Sequence, residues 1–230
     1  MTKEQFRQVI SIAYYIYHTT MKINGFGQAK VLTPLELDRL FQWGLTNQRD
    51  RTLFSLCLHT GCRISEALAL TVKDIRGGQI TLRKMVTKGK KKTRCIPINE
   101  QLQGILSNYI KEYKPTNYLF PGHHNAKTPK QMTRAAADLI LKEACVRIGV
   151  EGVSTHSFRR TALTMMHNGG VPLRVIQKIS GHSSLATLQR YLEVSDEAVM
   201  DAVNLIGSKP PSRVEQRKKD GGGNGEIIPF

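Results

Sequence analysis

Between Thr71 and Ile98 the apolar residues abandon helical spacing and alternate with period two. The pieces read VKDI, a Gly77-Gly78 turn, QITLRKMVT, a lysine-rich turn and TRCIPI. Short alternating runs joined by turns pair as antiparallel neighbours. Helical patterning resumes on both sides, so the expected fold is mixed α/β, mainly α-helical, around one small three-stranded antiparallel sheet.

The helical segments have readable ends. Residues 1–30 form an apolar stripe through Phe6, Val9, Ile10, Ile12, Ala13 and Ile16, followed by Gly25 and Gly27. Thr33-Pro34-Leu35-Glu36 is a helix start: Thr33 caps the free amides, Pro34 suits the first position and Glu36 completes a capping box. Leu35, Leu37, Leu40, Phe41 and Trp43 are expected to supply that helix's core face. A second helix over Arg51 to His59 carries Leu53, Phe54, Leu56, Cys57 and Leu58; Thr60-Gly61 ends it, and a third opens near Arg63. Beyond the sheet, helices are expected over Glu100 to Tyr113, Pro129 to Gly149 and Ser195 to Leu205. Residues 208–230, rich in Pro, Gly and charge, are expected to be disordered. The organisation expected is an N-terminal helical arm over 1–31, a main domain over 32–207 and a tail over 208–230.

Lys and Arg total 34 against 18 Asp and Glu, a formal charge of +16. Cations that neutralise phosphates release counterions, so this surface favours nucleic acid over small neutral metabolites. The densest spot is the sheet: Lys73, Arg76, Arg83, Lys84, Lys88, Lys90, Lys91, Lys92 and Arg94 face Asp74 alone. No apolar run is long enough to cross a bilayer and the charged start is no signal peptide, so a soluble, cytoplasmic protein without a membrane is expected. Cys57, Cys62, Cys95 and Cys145 form no CxxC pair and read as small core residues; neither disulfide nor metal site is expected.

Opening a phosphodiester builds negative charge on the non-bridging oxygens, so a catalyst needs fixed cations there, and arginine's planar fork meets phosphate bidentately. Arg63, in HTGCRISEALAL, follows a Thr-Gly turn amid apolar residues and needs an anion or solvent; Glu66, one helical turn on, is one partner and a phosphate another. In the stretch Thr155 to Leu192, His156 and Arg159 fall on one helix face if Ser154 or Thr155 starts the helix. Arg160 then points elsewhere, toward nucleic-acid backbone or solvent. Gly169-Gly170 closes that helix and Pro172 opens the next, buried through Val171, Leu173, Val175, Ile176 and Ile179. In Ser180-Gly181-His182 a tight turn projects the imidazole, as a helix cap or as a donor to a phosphate oxygen. Tyr191 follows in LQRYLE, by its residues alone either a core tyrosine or a nucleophile. A phenol, with pKa about 10, attacks at neutral pH only if cations favour the phenolate or a base takes its proton.

Taken together, TGCRISEALAL, the turn TKGKKKTRCIPI, His156-x-x-Arg159, Gly181-His182 and Tyr191 resemble the active-site blocks of the tyrosine recombinases, the phage-integrase family. The resemblance covers about Leu32 to Leu205 and implies that family's catalytic-domain fold. It implies that Arg63, Arg159 and His182 grip the scissile phosphate, that His156 assists proton transfer, and that Glu66 supports the site from behind. By the same resemblance Tyr191 is the nucleophile and Lys88 protonates the leaving 5′ oxygen, with Lys90 as its competitor because the register to Ile96-Pro97 is one residue long. Lys90, Lys91, Lys92, Arg94 and Arg160 are the expected DNA contacts. The short arm stands where most family members carry a helical core-binding domain.

The function expected is site-specific strand exchange on double-stranded DNA, by a homotetramer on paired sites, without cofactor. A type IB topoisomerase-like enzyme and a non-catalytic DNA-binding protein on the same scaffold are the alternatives.

Overall fold

The computed structural model describes residues 29–83, 93–122, 130–192, 199–200 and 203–204. The chain divides into two units, Met1–Glu193 and Val194–Phe230. In the second, residues 199–200 and 203–204 are helical, within the expected Ser195 to Leu205 helix. Nearly all of the expected arm and the whole 208–230 tail lie outside the described residues. Among the described residues no helix is long and apolar enough to cross a membrane.

Helix α1 spans Pro34–Arg39, and its capping box forms as expected: the Glu36 N–H donates to Thr33 Oγ1 at 3.3 Å and the Thr33 N–H to Glu36 Oε2 at 3.0 Å. It continues as a wider π-helical turn over Leu40–Gly44. That turn corrects the expected core face. Leu37 and Leu40 are buried, but Leu35 is 60% and Trp43 71% exposed. A π turn takes an extra residue to come full circle, so Gly44 rather than Trp43 returns beneath Leu40. A Cβ on Gly44 would lie 3.0 Å from the Ala144 carbonyl, and this close approach has no room for a side chain.

Helix α2, Gln48–Thr60, is capped by Asn47 and ends at Gly61, whose φ of 59° is the left-handed conformation that glycine adopts without strain. Leu53, Phe54, Leu56 and Cys57 are all buried, as a helix surrounded by others requires. Helix α3, Ile64–Leu68, follows, with Arg63 at its N-cap.

The three-stranded antiparallel sheet is present in the order β1-β2-β3, with β1 Ile75–Arg76, β2 Gln79–Leu82 and β3 Arg94–Pro97. Its register pairs Ile75 with Ile80, Ile80 with Ile96 and Leu82 with Arg94. The first strand is shorter than expected. Val72–Asp74 form a 3-10 turn, because Asp74 Oδ2 accepts the Thr71 N–H at 2.9 Å and the Thr71 hydroxyl at 2.7 Å. Alternation buries Ile80, Leu82 and Ile96 and turns Cys95 outward, so Cys95 is exposed rather than a core residue; Cys57, Cys62 and Cys145 are buried free thiols. The lysine turn with Lys88, Lys90, Lys91 and Lys92 lies outside the described residues.

Helix α4, Glu100–Tyr113, has the expected bounds. Helix α5, Arg134–Ile148, begins later than expected: Gly122 and Met132 donate backbone hydrogen bonds to Lys130 and Phe120, which holds the chain extended up to the Thr133 cap. Then come α6 Thr155–Asn168, α7 Leu173–Ser180 and α8 Leu185–Gln189. Helix α6 is the wall between two cores. Phe158 faces the main one, stacking on Phe54 at 4.8 Å between centroids, and Leu163 faces a smaller one with Ile176 and Leu188. Val175, expected to be buried, is 45% exposed, since Ile176 takes the inward position on α7.

Candidate active site

Ser154 starts α6, accepting the His156 N–H at 3.3 Å, while its own N–H donates to Ser157 Oγ at 3.0 Å. This is the helix start that sets His156 and Arg159 one turn apart. Their environments differ: His156 is exposed, and Arg159 is 1% exposed. Partial desolvation first, then the charges of Arg159 and Arg63, hold the His156 imidazole below its ordinary value of 6.5, so it is neutral at pH 7.

Arg159 is buried by α2 and α7. Its Nη1 donates to the Gly61 carbonyl at 2.6 Å and Nη2 to the Ser180 carbonyl at 2.8 Å. These bonds fix the guanidinium between two helix C-termini, where carbonyls carry partial negative charge. Burial, and next the charge of Arg63, lower its pKa to about 10. Arg159 remains a cation at neutral pH, in a setting short of negative charge.

His182 is buried on the turn after α7, past Gly181 with φ 68°. Its Nδ1 lies 2.8 Å from Ser180 Oγ, and that hydroxyl donates to the Gln177 carbonyl at 3.3 Å. The Ser180 contact to Nδ1 fixes which way the ring faces. Arg159 Nη2 is 3.1 Å from His182 Nε2 and 3.4 Å from Nδ1. Near-equal distances to both nitrogens mean that the guanidinium lies against the ring, not end-on to one lone pair.

Tyr191 falls just past α8, on the turn that follows the helix rather than within it. Its N–H donates to the Leu188 carbonyl at 2.8 Å, and its own carbonyl accepts from Thr164 Oγ1 on α6 at 3.3 Å. The ring packs beside the smaller core, 4.8 Å from the His182 ring by centroids and 5.6 Å from Arg159 Cζ. His182, Arg159 and Tyr191 thus meet, as their order in the sequence suggested.

Glu66 pairs with arginines from two elements. Its Oε2 accepts the Arg63 N–H at 2.8 Å, and Arg63 Nη1 is 3.6 Å from Oε1. Its strongest partner is Arg94, which grips both carboxylate oxygens at 2.8 and 3.0 Å. Burial pushes the Glu66 carboxyl up, but the bonds and charge of Arg94 and the pull of Arg63 outweigh it and hold the pKa at about 2. Arg94, expected on the DNA face, is therefore drawn inward. Arg160 is half-buried, and its Nη1 donates to the Ala29 carbonyl at 2.6 Å.

Among the described residues the buried Arg159 Nε makes no hydrogen bond, and the buried Arg63 Nη1 has only the 3.6 Å ion pair with Glu66. A buried donor left unmet costs about 1–3 kcal/mol. Around Arg159 the neighbouring charges are those of Arg63, Arg94 and Glu66. Three arginines against one carboxylate leave a net positive cluster that suits an anion with several oxygens. Among the described residues no group of His, Cys, Asp and Glu is arranged to hold a metal ion.

Sequence reasoning did not foresee Ser180, which aligns the imidazole, the Gly61 carbonyl, which seats Arg159, or the inward role of Arg94. Ser180 carried a signal in its place beside Gly181-His182; the other two contacts join residues far apart in the chain.

A family model described as the phage integrase family matches residues 30–198. A tyrosine recombinase of Pseudothermotoga lettingae is 33% identical over 178 residues, covering 76% of this chain and 60% of that protein. A probable integrase/recombinase of Bacillus subtilis, YoeC, is 32% identical over 162 residues, covering 70% of this chain and 86% of that one. The chain spans less than two thirds of the first relative's length. Among solved structures, the XerA recombinase superposes with a TM-score of 0.66 at 22% identity, covering 81% of this chain and 68% of that one. The catalytic domain of bacteriophage HP1 integrase gives 0.53 at 25% identity, covering 84% and 95%.

Proposed function

This chain belongs to the phage integrase family, and on that premise we propose that it cuts and rejoins double-stranded DNA at specific sites through a 3′-phosphotyrosyl intermediate on Tyr191. The observation that carries the reading is the buried Arg159, its Nε without a hydrogen bond, beside the Tyr191 ring, the His182 ring and the charge of Arg63. A phosphodiester supplies the missing acceptor.

In the first step the Tyr191 phenolate oxygen bonds to phosphorus and the bond to the 5′ oxygen breaks. The leaving oxygen takes a proton from Lys88, with Lys90 as competitor. Arg63, Arg159 and His182 hold the non-bridging oxygens while their charge grows, and because their frames are already rigid little reorganisation is needed. Neutral His156 assists the transfer of the phenol's proton. The reverse step uses the 5′ hydroxyl of a partner strand. The phosphotyrosyl link keeps the bond's energy, so the exchange needs no nucleotide cofactor.

The catalytic domain in this reading occupies 32–207, after a short arm and before a tail, and the protein works in the cytoplasm. Four copies assemble on two DNA sites. Val199, Met200 and Val203, exposed on the C-terminal unit, are apolar side chains that a neighbouring subunit would cover. Lys90, Lys91 and Lys92 contact the DNA backbone. Arg160 adds charge at the start of the site's helix.

The test is covalent capture from a pool of nicked duplexes with randomised sequence. The full chain is expected to carry DNA that survives denaturing detergent, attached at Tyr191 by peptide mass. Tyr191→Phe is expected to bind DNA and to form no adduct. An adduct on that variant would overturn the assignment.

A further inference from the structure

We propose that Arg94 is a positioning residue for this site: from strand β3 it locks the turn that carries His182 onto the Glu66 carboxylate. The proposal rests on reading Arg63, Arg159, His182 and Tyr191 as the strand-cutting centre.

Arg94 joins three elements. Nη1 and Nη2 grip the two oxygens of Glu66, at the first turn of α3, at 2.8 and 3.0 Å, and Nε donates to the Ile179 carbonyl at the end of α7 at 2.9 Å. Its side chain is only 12% exposed. The guanidinium also runs beneath Gly181: a Cβ there would lie 3.0 Å from Nη1, 3.2 Å from Cζ and 3.3 Å from Cδ. Glycine at 181 therefore answers two demands, a φ of 68° and the passage of Arg94.

Successive parts of the His182 turn are thus clamped from different sides. Arg94 holds the carbonyl of residue 179 and packs against residue 181, Arg159 holds the carbonyl of residue 180, and the Ser180 hydroxyl aligns the imidazole. The same carboxylate that Arg94 grips also accepts the Arg63 N–H. One side chain hence sets the spacing between the two arms of the phosphate cradle, Arg63 on one and His182 on the other. Three of its five N–H groups are spent on protein acceptors, so its part is to hold the turn rather than the phosphate. Lysine keeps the charge but has no rigid fork to span two carboxylate oxygens and a carbonyl together.

The test uses the full chain, wild type and Arg94→Lys, with a duplex recovered by the covalent capture above. Adduct formation is expected to slow by about 100-fold, the scale of a misplaced reacting group, with DNA affinity unchanged. Acylation of histidines by diethyl pyrocarbonate, read by peptide mass, is expected to speed up at His182 and to stay at the wild-type rate at His156 and His167. Gly181→Ala, which crowds the guanidinium from the other side, is expected to expose His182 in the same selective way and carries the test if the lysine variant does not fold. A wild-type adduct rate in Arg94→Lys would overturn the proposal. So would a parallel fall of rate and DNA affinity, which marks a phosphate contact, or equal acceleration at all three histidines, which marks general loosening. Absence of any adduct on the wild-type chain would instead refute the strand-cutting reading, and the acylation pattern would still decide whether Arg94 holds the turn.

Discussion

Replacing Glu66 by glutamine removes the one carboxylate among the charges that surround Arg159, and the structure sets the size of the effect. The carboxyl titrates at about 2 in the folded protein against an ordinary 4.5. At 1.36 kcal/mol per pH unit, that difference is worth about 3 kcal/mol of folding stability. Its side chain is 9% exposed, so solvent screens little of it. The folded value lies below the unfolded one, so the stabilisation is complete above about pH 5 and fades as pH falls toward 2. Glutamine keeps the shape but presents an amide to Arg94, whose two nitrogens lose their anion. Urea unfolding of wild type and Glu66→Gln across this range is the assay. The variant is expected to be less stable by about 3 kcal/mol at pH 7, and the gap is expected to shrink toward the acid end as wild-type Glu66 takes up its proton. A gap of the same size at about pH 2.5 would show that ionisation of Glu66 is not its source, and the account of Arg63 and Arg94 as held by a charged partner would fail.

Arg159→Lys cannot reach the Gly61 and Ser180 carbonyls together, and adduct formation is expected to fall by about 100- to 1,000-fold, the cost of one lost transition-state donor; single-turnover rates on the captured duplex measure it. Lys88→Ala is expected to regain activity on a duplex whose 5′ bridging oxygen is replaced by sulfur, since a thiolate leaves without a proton; recovery in Lys90→Ala alone would move the proton donor to Lys90. Gly61→Ala must hold φ 59° with its Cβ 3.3 Å from Leu163 Cδ2, and chemical denaturation is expected to show a loss of about 1–3 kcal/mol together with slower adduct formation as the carbonyl beneath Arg159 shifts. Thr33→Ala breaks the α1 capping box away from the site, so a stability loss of about 1 kcal/mol with unchanged adduct formation is expected from thermal melts and capture.

Local chemistry made much of this fold legible in the linear chain. The Thr33-Pro34-Leu35-Glu36 start, the Gly61 stop, the bounds of α4 and the antiparallel sheet each depend on residues close in sequence, where capping, φ preference and alternation act directly. The order of Arg63, His156, Arg159, His182 and Tyr191 pointed to a phosphate-handling centre through its resemblance to the active-site blocks of the tyrosine recombinases. What spacing could not decide was which way a side chain turns when two elements compete for it. Trp43 matched a helical stripe until a π turn against Ala144 rotated it outward. Cys95 sat in an apolar segment, yet strand alternation faced it away from the core.

The same limit applied to charge. Arg94 reads in sequence as one more cation at the end of a basic turn, and only tertiary packing brings Glu66 within 2.8 Å and the Ile179 carbonyl within 2.9 Å of it. A buried carboxylate outbids solvent for a guanidinium because neither charge is stable there alone. The sequence by itself determined which chemistry the chain can carry and where its helices and strands begin. Which acceptors each arginine meets, Glu66 and the Ile179 carbonyl for Arg94 and the Gly61 and Ser180 carbonyls for Arg159, was decided by tertiary structure, since long-range contacts select each cation's partner.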